Sequence, residues 1–218
     1  MRLAVLASGG GTNLQAIIDA CERGEIDARV VLVISNNSAA GALERARKHG
    51  IVDLHLSGRQ FDTQDEFDAR LLDVLAEHRV DLVILAGYMK MVSPAVVRAY
   101  RHRMLNIHPA LLPCFGGKGM YGIKVHQAVI DSGAKVSGVS VHIVDEQYDH
   151  GPIVAQRTVP VLDDDTPESL AHRVLVQEHE IYPQVIGLFA QDRVRVEGHR
   201  VRILSASGAD LTTPRRGK

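Results

Sequence analysis

Short apolar segments alternate with helical segments through the first hundred residues, and this alternation restricts the chain to a small group of folds. The apolar segments lie at residues 3–7, 29–35, 52–56 and 81–86. Largely uninterrupted apolar strands of this length are typical of a parallel sheet that is covered on both faces. Helices are predicted after a glycine turn at residues 8–13, and at residues 39–49, 61–78 and 94–100. The chain is therefore predicted to be an α/β protein.

The second half of the chain has a different pattern. A strand is predicted at residues 103–107 and a helix at residues 124–132. Two β-rich runs, at residues 136–144 and 153–161, are expected to pair antiparallel as an edge hairpin. A last helix is predicted to end near Ala190, before a small hairpin at residues 193–196 and 200–204. The predicted fold is a Rossmann-like, mostly parallel twisted sheet flanked by helices, with an antiparallel edge extension in the C-terminal half.

Composition and charge exclude several classes of protein. The 218 residues carry a net charge of -1, which gives no basis for binding nucleic acid or a membrane surface. The longest apolar stretches, residues 30–34 and 82–86, are far shorter than the roughly 20 residues of a membrane-spanning helix. Only Cys21 and Cys114 are present, so neither a disulfide framework nor a cysteine metal site is expected. No signal-peptide pattern precedes the first strand, and the expected location is the cytosol.

A glycine-rich turn from Ser8 to Asn13 follows the first strand and precedes the first helix. Successive glycines allow backbone N–H groups to approach an anion, and the helix N-terminus adds partial positive charge. The turn lacks both the Gly-x-Gly-x-x-Gly spacing of dinucleotide sites and the Gly-Lys-Ser/Thr of nucleotide phosphate loops. It therefore favours a phosphomonoester as ligand. The alternative is a turn that serves only close packing of strand against helix.

Three side chains indicate chemistry on a carbonyl group. Asn106 and His108 lie two apart at the end of a predicted strand, so both can face the same crevice. Asp149 is followed by Gly151 and Pro152, which turn the chain sharply and can direct the carboxylate back over the strand ends. An amide and an imidazole can bind a developing oxyanion, and a carboxylate beside the imidazole is expected to raise its pKa. Without Asp149, the other two side chains would be read as a hydrogen-bonded structural pair.

Three stretches of sequence are specific enough to point to a known family. They are LASGGGTNLQAI (residues 6–17), LAGYMK (85–90) with NIHPALLP (106–113), and GVSVH (138–142) with DHGPI (149–153). Together they resemble the folate-dependent glycinamide ribonucleotide formyltransferases of purine biosynthesis. The resemblance extends to about Leu204 and implies one formyltransferase domain over residues 1–205. Residues 1–100 would be its phosphate-binding, Rossmann-like half and residues 101–205 its catalytic and folate-binding half, with a flexible tail at 206–218.

The resemblance implies substrate-binding roles for two groups of residues. The substrate phosphate and ribose would be held by Gly11, Thr12, Asn13 and Glu178. The pterin of the co-substrate 10-formyltetrahydrofolate would lie against Met89, Lys90, Met91 and Val92.

The catalytic roles implied by the resemblance fall to four side chains. Asn106 and His108 would bind the formyl oxygen as it becomes an oxyanion, and Asn106 would also contact the folate. Asp149 would orient and charge His108 and help to pass a proton from the amine to the folate. His142 would support the same loop. No metal is implied, because the amide and the imidazole would supply the polarisation.

Some positions depart from the commoner family pattern. Gln64 stands where a basic residue near the folate tail is usual, so a charge contact to that tail is not expected from it. Lys90 replaces an arginine and keeps the charge without the planar fork. Leu175 occupies a position where an amide can face the ribose, and the loop at residues 116–122 is longer than in some members. None of these changes touches the three predicted catalytic residues.

Two related enzymes and one binding protein are alternatives. A methionyl-tRNA formyltransferase is expected to carry a further basic domain for RNA, and a formyltetrahydrofolate hydrolase an N-terminal regulatory domain; neither is expected here. A non-catalytic folate-binding or phosphate-binding protein would not need the three catalytic residues together. The expected partners are small molecules, with no nucleic acid and no membrane. A homodimer through an edge strand or helix of the first half remains open.

Overall fold

The computed structural model describes residues 1–205, and the tail predicted at residues 206–218 lies outside them. Within residues 1–205 the chain forms nine strands and six α-helices. The strands are β1 (Arg2–Leu6), β2 (Arg29–Ser35), β3 (Val52–His55), β4 (Leu82–Leu85), β5 (Met104–His108), β6 (Val136–Ile143), β7 (Ile153–Pro160), β8 (Val194–Glu197) and β9 (Arg200–Ile203). The helices are α1 (Thr12–Glu22), α2 (Gly41–Lys48), α3 (Gln64–Glu77), α4 (Pro94–Ala99), α5 (Ile123–Asp131) and α6 (Pro167–Ala190). None of these helices combines the length and apolar character needed to cross a membrane.

Seven strands form one sheet in the order β3-β2-β1-β4-β5-β6-β7. The strands from β3 to β5 in this order run parallel to one another, whereas β6 runs antiparallel to both β5 and β7. The predicted mostly parallel sheet with an antiparallel edge extension is therefore confirmed. Because the carboxyl ends of β1, β4 and β5 meet at one edge, the loops that follow them share the crevice where open α/β sheets bind ligands.

Both faces of the sheet are buried at its central strands β1 and β4, as the uninterrupted apolar strands predicted. Alternate residues of β1 pack into two hydrophobic clusters, one shared with α1 and α6 and the other with α3 and α4. Tyr182 of α6 is fully buried, and its hydroxyl lies 2.9 Å from the carbonyl oxygen of Leu85 and 3.1 Å from that of Leu105. This contact fixes α6 against the end of β4, next to the crevice, and against the first half of β5.

Most element boundaries agree with the sequence to within two residues, and the clearest difference is the start of α3. The apolar spacing predicted a helix from Phe61, but Phe61 is extended, with φ -131° and ψ 151°. The helix begins at Gln64 because Thr63 caps it, its side chain accepting a 3.2 Å hydrogen bond from the N–H of Glu66. The Phe61 ring still packs edge-on against Phe67, with 5.8 Å between centroids, so it satisfies the apolar pattern without being helical.

Candidate active site

A cavity of about 490 Å³ opens at the carboxyl ends of the parallel strands. Its walls come from the β4–α4 loop (residues 86–93), the end of β5, the glycine-rich loop (residues 116–122) and the β6–β7 loop (residues 144–152). Asn13, Leu85, His142 and Glu178 complete the lining. A cavity of this size, with a few polar groups among apolar walls, fits a small-molecule site.

Asn106, His108 and Asp149 meet on the wall of this cavity. The first two are two apart on β5 and point to the same side of the sheet. Asp149 comes from the β6–β7 loop, and its Oδ1 lies 3.3 Å from Nδ2 of Asn106. Its Oδ2 lies 3.6 Å from Nδ1 of His108, which is an ionic contact rather than a hydrogen bond. The structure thus brings together the three residues that the sequence singled out.

The position of Asp149 follows from the backbone around it. Its φ of 51° lies in the left-handed region that residues other than glycine rarely adopt. Gly151 passes so close to β6 that a Cβ atom would lie 1.9 Å from the carbonyl oxygen of Ile143. The chain therefore turns within a few residues, and the carboxylate faces the end of β5. The backbone N–H of Gly117 donates a 2.9 Å hydrogen bond to Oδ2 of Asp149, so the glycine-rich loop also holds it.

His142 on β6 lies directly opposite Asn106 on β5 and is buried. Its Nε2 is 3.0 Å from Nδ2 of Asn106 and 3.6 Å from Oδ1 of Asp149. The neutral ring can accept from the amide, and the protonated ring can donate to the carboxylate. Both N–H bonds of the Asn106 amide are therefore directed at protein groups. His142 is placed where the resemblance put a supporting residue.

His108 is buried, with 3% of its surface exposed. Its Nε2 lies 2.8 Å from the carbonyl oxygen of Phe115, so Nε2 carries a hydrogen and Nδ1 faces Asp149. Burial lowers the pKa of His108 below its usual value and outweighs the Asp149 charge and the Phe115 carbonyl, which act in the opposite direction. The expected rise in pKa was therefore wrong. The sequence indicates a nearby carboxylate, but not that the imidazole is removed from water.

For Asp149, the effects of burial and of neighbouring groups on the pKa have the opposite balance. Burial alone would raise its pKa, but the imidazoles of His142 and His108 and the N–H of Gly117 outweigh burial and leave the pKa below its usual value. Asp149 is consequently ionised at neutral pH. The site thus pairs a carboxylate that holds its charge with an imidazole that favours its neutral form.

The β4–α4 loop supplies an apolar wall. Met89, Lys90, Met91 and Val92 all line the cavity. Met89 and Met91 are 51% and 46% exposed, whereas Val92 is buried. Flexible, polarisable thioether side chains on an exposed cavity wall suit an aromatic ring system as ligand. The four residues are therefore placed together, as the resemblance implied.

Only the end of the glycine turn reaches the cavity. Asn13 is among the lining residues, whereas Gly11 and Thr12 are not. Gly11 caps α1 with φ 74°, and a Cβ atom on it would lie 2.8 Å from Cα of Ala42. Gly11 thus has a packing function of the kind considered as the alternative to phosphate binding. The N-terminus of α1 still directs backbone N–H groups outwards at this place.

Asn13 and Glu178 form a buried polar pair at the cavity. Nδ2 of Asn13 donates a 2.6 Å hydrogen bond to Oε2 of Glu178, and each residue is 9% exposed. Burial raises the pKa of Glu178, and the hydrogen bond from Asn13 opposes this only in part. Oδ1 of Asn13 is buried without a hydrogen-bond partner. An unpaired buried acceptor is costly, so a ligand N–H or hydroxyl group is its natural partner.

Several cavity residues were not singled out by the sequence patterns. Met120 and Tyr121 of the glycine-rich loop and Tyr148 of the β6–β7 loop contribute large side chains to the walls. For Met120 and Tyr121, the surrounding glycines were the only sequence signal. Gln64 and Leu175, noted as departures from the family pattern, do not line the cavity; Nε2 of Gln64 donates instead to a neighbouring aspartate on α3.

The fold and the cavity together define an α/β enzyme equipped to act on a carbonyl group. Among residues 1–205, no group of three or more histidine, cysteine, aspartate or glutamate side chains is arranged to hold a metal ion. Residues 1–186 match the model of the formyl transferase family. The chain therefore belongs to the formyl transferase family.

Named relatives and solved structures agree with this assignment. A phosphoribosylglycinamide formyltransferase of Escherichia coli is 42% identical over 196 residues, covering 90% of this chain and 90% of the relative. The chloroplastic phosphoribosylglycinamide formyltransferase of Arabidopsis thaliana is 47% identical over 195 residues, covering 89% of this chain and 67% of the relative. The crystal structure of glycinamide ribonucleotide transformylase 1 from Symbiobacterium toebii has a TM-score of 0.89 and 47% identity, covering 94% of each chain.

Proposed function

We propose that the protein transfers the formyl group of 10-formyltetrahydrofolate to the amine of glycinamide ribonucleotide. The products are formylglycinamide ribonucleotide and tetrahydrofolate, as a step of de novo purine biosynthesis. The observation that carries the proposal is the meeting of Asn106, His108 and Asp149 on one wall of a cavity, in a chain whose relatives bear this name.

The two other parts of the cavity suit the two substrates. The exposed methionines of the β4–α4 loop provide a surface for the pterin ring. Asn13 and Glu178 offer hydrogen-bond groups to the ribose, and the backbone of Gly11 and Thr12 at the N-terminus of α1 suits the phosphate. The amine and the formyl carbon would then meet beside the three catalytic side chains, which is where the reaction needs them.

In the reaction, the amine nitrogen attacks the formyl carbon and the bond from that carbon to N10 of the folate breaks. The formyl oxygen becomes an oxyanion, and N–H groups of Asn106 and His108 stabilise it. Because burial lowers the pKa of His108, the neutral imidazole is the donor at neutral pH. In the structure these N–H groups face Phe115, His142 and Asp149. The formyl oxygen must therefore replace Phe115 as the acceptor of His108 and one of the two acceptors of Asn106 when it binds.

One proton has to move from the attacking amine to N10 of the folate. We assign this transfer to Asp149, and the assignment is supported by its ionised carboxylate and its position beside Asn106 and His108. A carboxylate with a lowered pKa is a weak base, so it releases the proton again readily. Asp149 thus serves as a relay, and the transfer leaves the protein in its starting state of protonation.

The direct test compares acceptors with the purified protein and 10-formyltetrahydrofolate. Formylglycinamide ribonucleotide is expected when glycinamide ribonucleotide is added, with no product from methionyl-tRNA and little tetrahydrofolate without an acceptor. Formylated methionyl-tRNA, or hydrolysis without an acceptor, would contradict the proposal in favour of one of the related enzymes. Binding of both substrates without any product would indicate a binding protein instead.

His108 provides the matched test of the site. Removal of one oxyanion donor by His108→Ala is expected to lower kcat by about a hundredfold or more. His172→Ala is the control, because His172 is an exposed histidine on α6 that does not line the cavity. Equal activity of the two variants would contradict the assignment of His108.

Compartment and assembly remain predictions. The cytosol and a possible homodimer were expected from the sequence, and the Arabidopsis relative is named chloroplastic. Cell fractionation tests the compartment. Sedimentation velocity at micromolar concentration tests whether two chains associate.

A further inference from the structure

Ser8, the first residue of the glycine turn, contacts two other loops at the edge of the sheet. Its hydroxyl donates to Oδ1 of Asn36 at 2.5 Å and accepts a 2.8 Å hydrogen bond from the backbone N–H of Met89. Its own N–H donates to the carbonyl oxygen of Gly87 at 3.0 Å. Nδ2 of Asn37 lies 3.4 Å from its carbonyl oxygen. One residue at the end of β1 therefore connects the loops that follow β2 and β4.

The contact with Met89 is made at the start of the apolar cavity wall. Met89, Lys90 and Met91 are all exposed, so side-chain packing does little to fix this part of the β4–α4 loop. The hydrogen bond from the Met89 N–H to the hydroxyl of Ser8, two residues beyond the end of β1, supplies that constraint instead. Serine suits the position because one hydroxyl can accept from Met89 and donate to Asn36 at the same time.

We propose that Ser8 is a positioning residue for the folate, whose hydroxyl holds the pterin-binding wall at a fixed place relative to the glycine turn. The identity of the ligand rests on the proposed function, whereas the contact itself does not. Alanine at this position would leave the Met89 N–H and the Asn36 amide oxygen without their partner. The first loss acts on the folate wall, and the second acts on the loop after β2.

Steady-state kinetics with each substrate varied in turn test this role. Ser8→Ala is expected to raise KM for 10-formyltetrahydrofolate about tenfold, because the loop loses a hydrogen bond worth about that factor. KM for glycinamide ribonucleotide should change less than about twofold. Ser8→Thr keeps the hydroxyl, and its KM for 10-formyltetrahydrofolate should stay close to the wild-type value. A purely structural role would instead raise both KM values together and would not be rescued selectively.

Asn37→Ala is the matched control. Asn37 contacts the main-chain carbonyl of Ser8, and its replacement keeps the hydroxyl contact with Met89, so the folate KM should stay unchanged. Amide exchange of Met89, followed by NMR, gives a second readout that needs no activity. Protection of this amide should fall at least about tenfold in Ser8→Ala and stay the same in Asn37→Ala. If Ser8→Ala does not fold, Ser8→Cys gives the same comparison, since a thiol is a weak hydrogen-bond partner.

Calorimetric binding of tetrahydrofolate separates this inference from the proposed function. If the wild-type protein binds tetrahydrofolate with an affinity that depends on Ser8 but forms no formylated product, the function fails and the role of Ser8 stands. If the protein transfers the formyl group but Ser8→Ala keeps the wild-type folate KM and Met89 protection, the role of Ser8 is overturned. If the wild-type protein binds no tetrahydrofolate, both are overturned.

Discussion

Replacing Asp149 with asparagine removes the charge of this residue while keeping its size. The substituted side chain can still accept the hydrogen bond from Gly117, which is 2.9 Å long in the native protein, so the β6–β7 loop should keep its position. The change therefore isolates the effect of the negative charge on His108 and on the proton in transit. A larger truncation would mix this effect with a displaced loop.

The magnitude follows from the geometry. Two unit charges 3.6 Å apart would interact by about 5 kcal/mol at an effective dielectric constant of about 20, but burial favours the neutral imidazole of His108, so the lost charge removes little of this energy. The variant also lacks the acceptor for the proton of the amine, and loss of such a group typically slows a reaction about 10²–10⁴-fold. We expect Asp149→Asn to lower kcat about a thousandfold, or about 4 kcal/mol in the barrier.

Single-turnover formyl transfer at saturating substrate concentrations measures the chemical step directly. Because the pKa of Asp149 lies below its usual value, the carboxylate is ionised throughout the neutral range. The ratio of the wild-type to the variant rate should therefore be the same at pH 6.5 and pH 8.5. Glu146→Gln, in the same loop but paired with Arg98 on the surface, should stay within about twofold of wild type. A kcat for Asp149→Asn within tenfold of wild type would refute the reasoning.

Three further changes test the framework around the site. Asp165→Asn removes a carboxylate that binds Arg173 at 2.6 and 2.8 Å, and it should lower the free energy of unfolding by about 1–2 kcal/mol at pH 7. Arg173 holds the pKa of Asp165 well below its usual range, so this difference should shrink in urea unfolding as pH falls below about 4. Burial raises the pKa of Glu178, so ionisation of this residue lowers the stability of the protein as pH rises through that pKa. Glu178→Gln should therefore raise the thermal midpoint at pH 8.5. The same variant should bind the ribonucleotide more weakly, as measured by calorimetry. Tyr182→Phe removes the hydroxyl that donates to main-chain carbonyls of β4 and β5, and it should lower the thermal midpoint by about 4 °C. An unchanged midpoint would show that these carbonyls have another hydrogen-bond donor.

Much of the fold could be predicted because the responsible patterns are local. The apolar strands of the parallel half and the β-rich runs that became β6 and β7 are visible within single segments, and their order limits the topology. The start of α3 was misplaced because Phe61 fits a helical apolar spacing whether or not it is helical. The cap at Thr63 decides the boundary, and apolar spacing does not register it.

The candidate site was only partly predictable, because its energetics depend on contacts across the chain. Asn106 and His108 are close in sequence, so their shared face could be inferred. The 2.6 Å contact between Asn13 and Glu178 joins residues 165 positions apart, and no local pattern encodes it. The lowered pKa of His108 depends on how much water the surrounding elements exclude, which only the assembled protein determines.

The cavity residues fall into two groups on different elements of the fold, and protein engineers could use this separation. Asn106, His108 and His142 lie on two strands paired rigidly with each other, whereas Asn13 and Glu178 approach from separate helices. Under the proposed function, libraries built around Asn13 and Glu178 are expected to change the accepted amine while β5 and β6 stay unaltered. The same separation predicts that changes at the two helical positions alter acceptor binding more than they alter the chemical step.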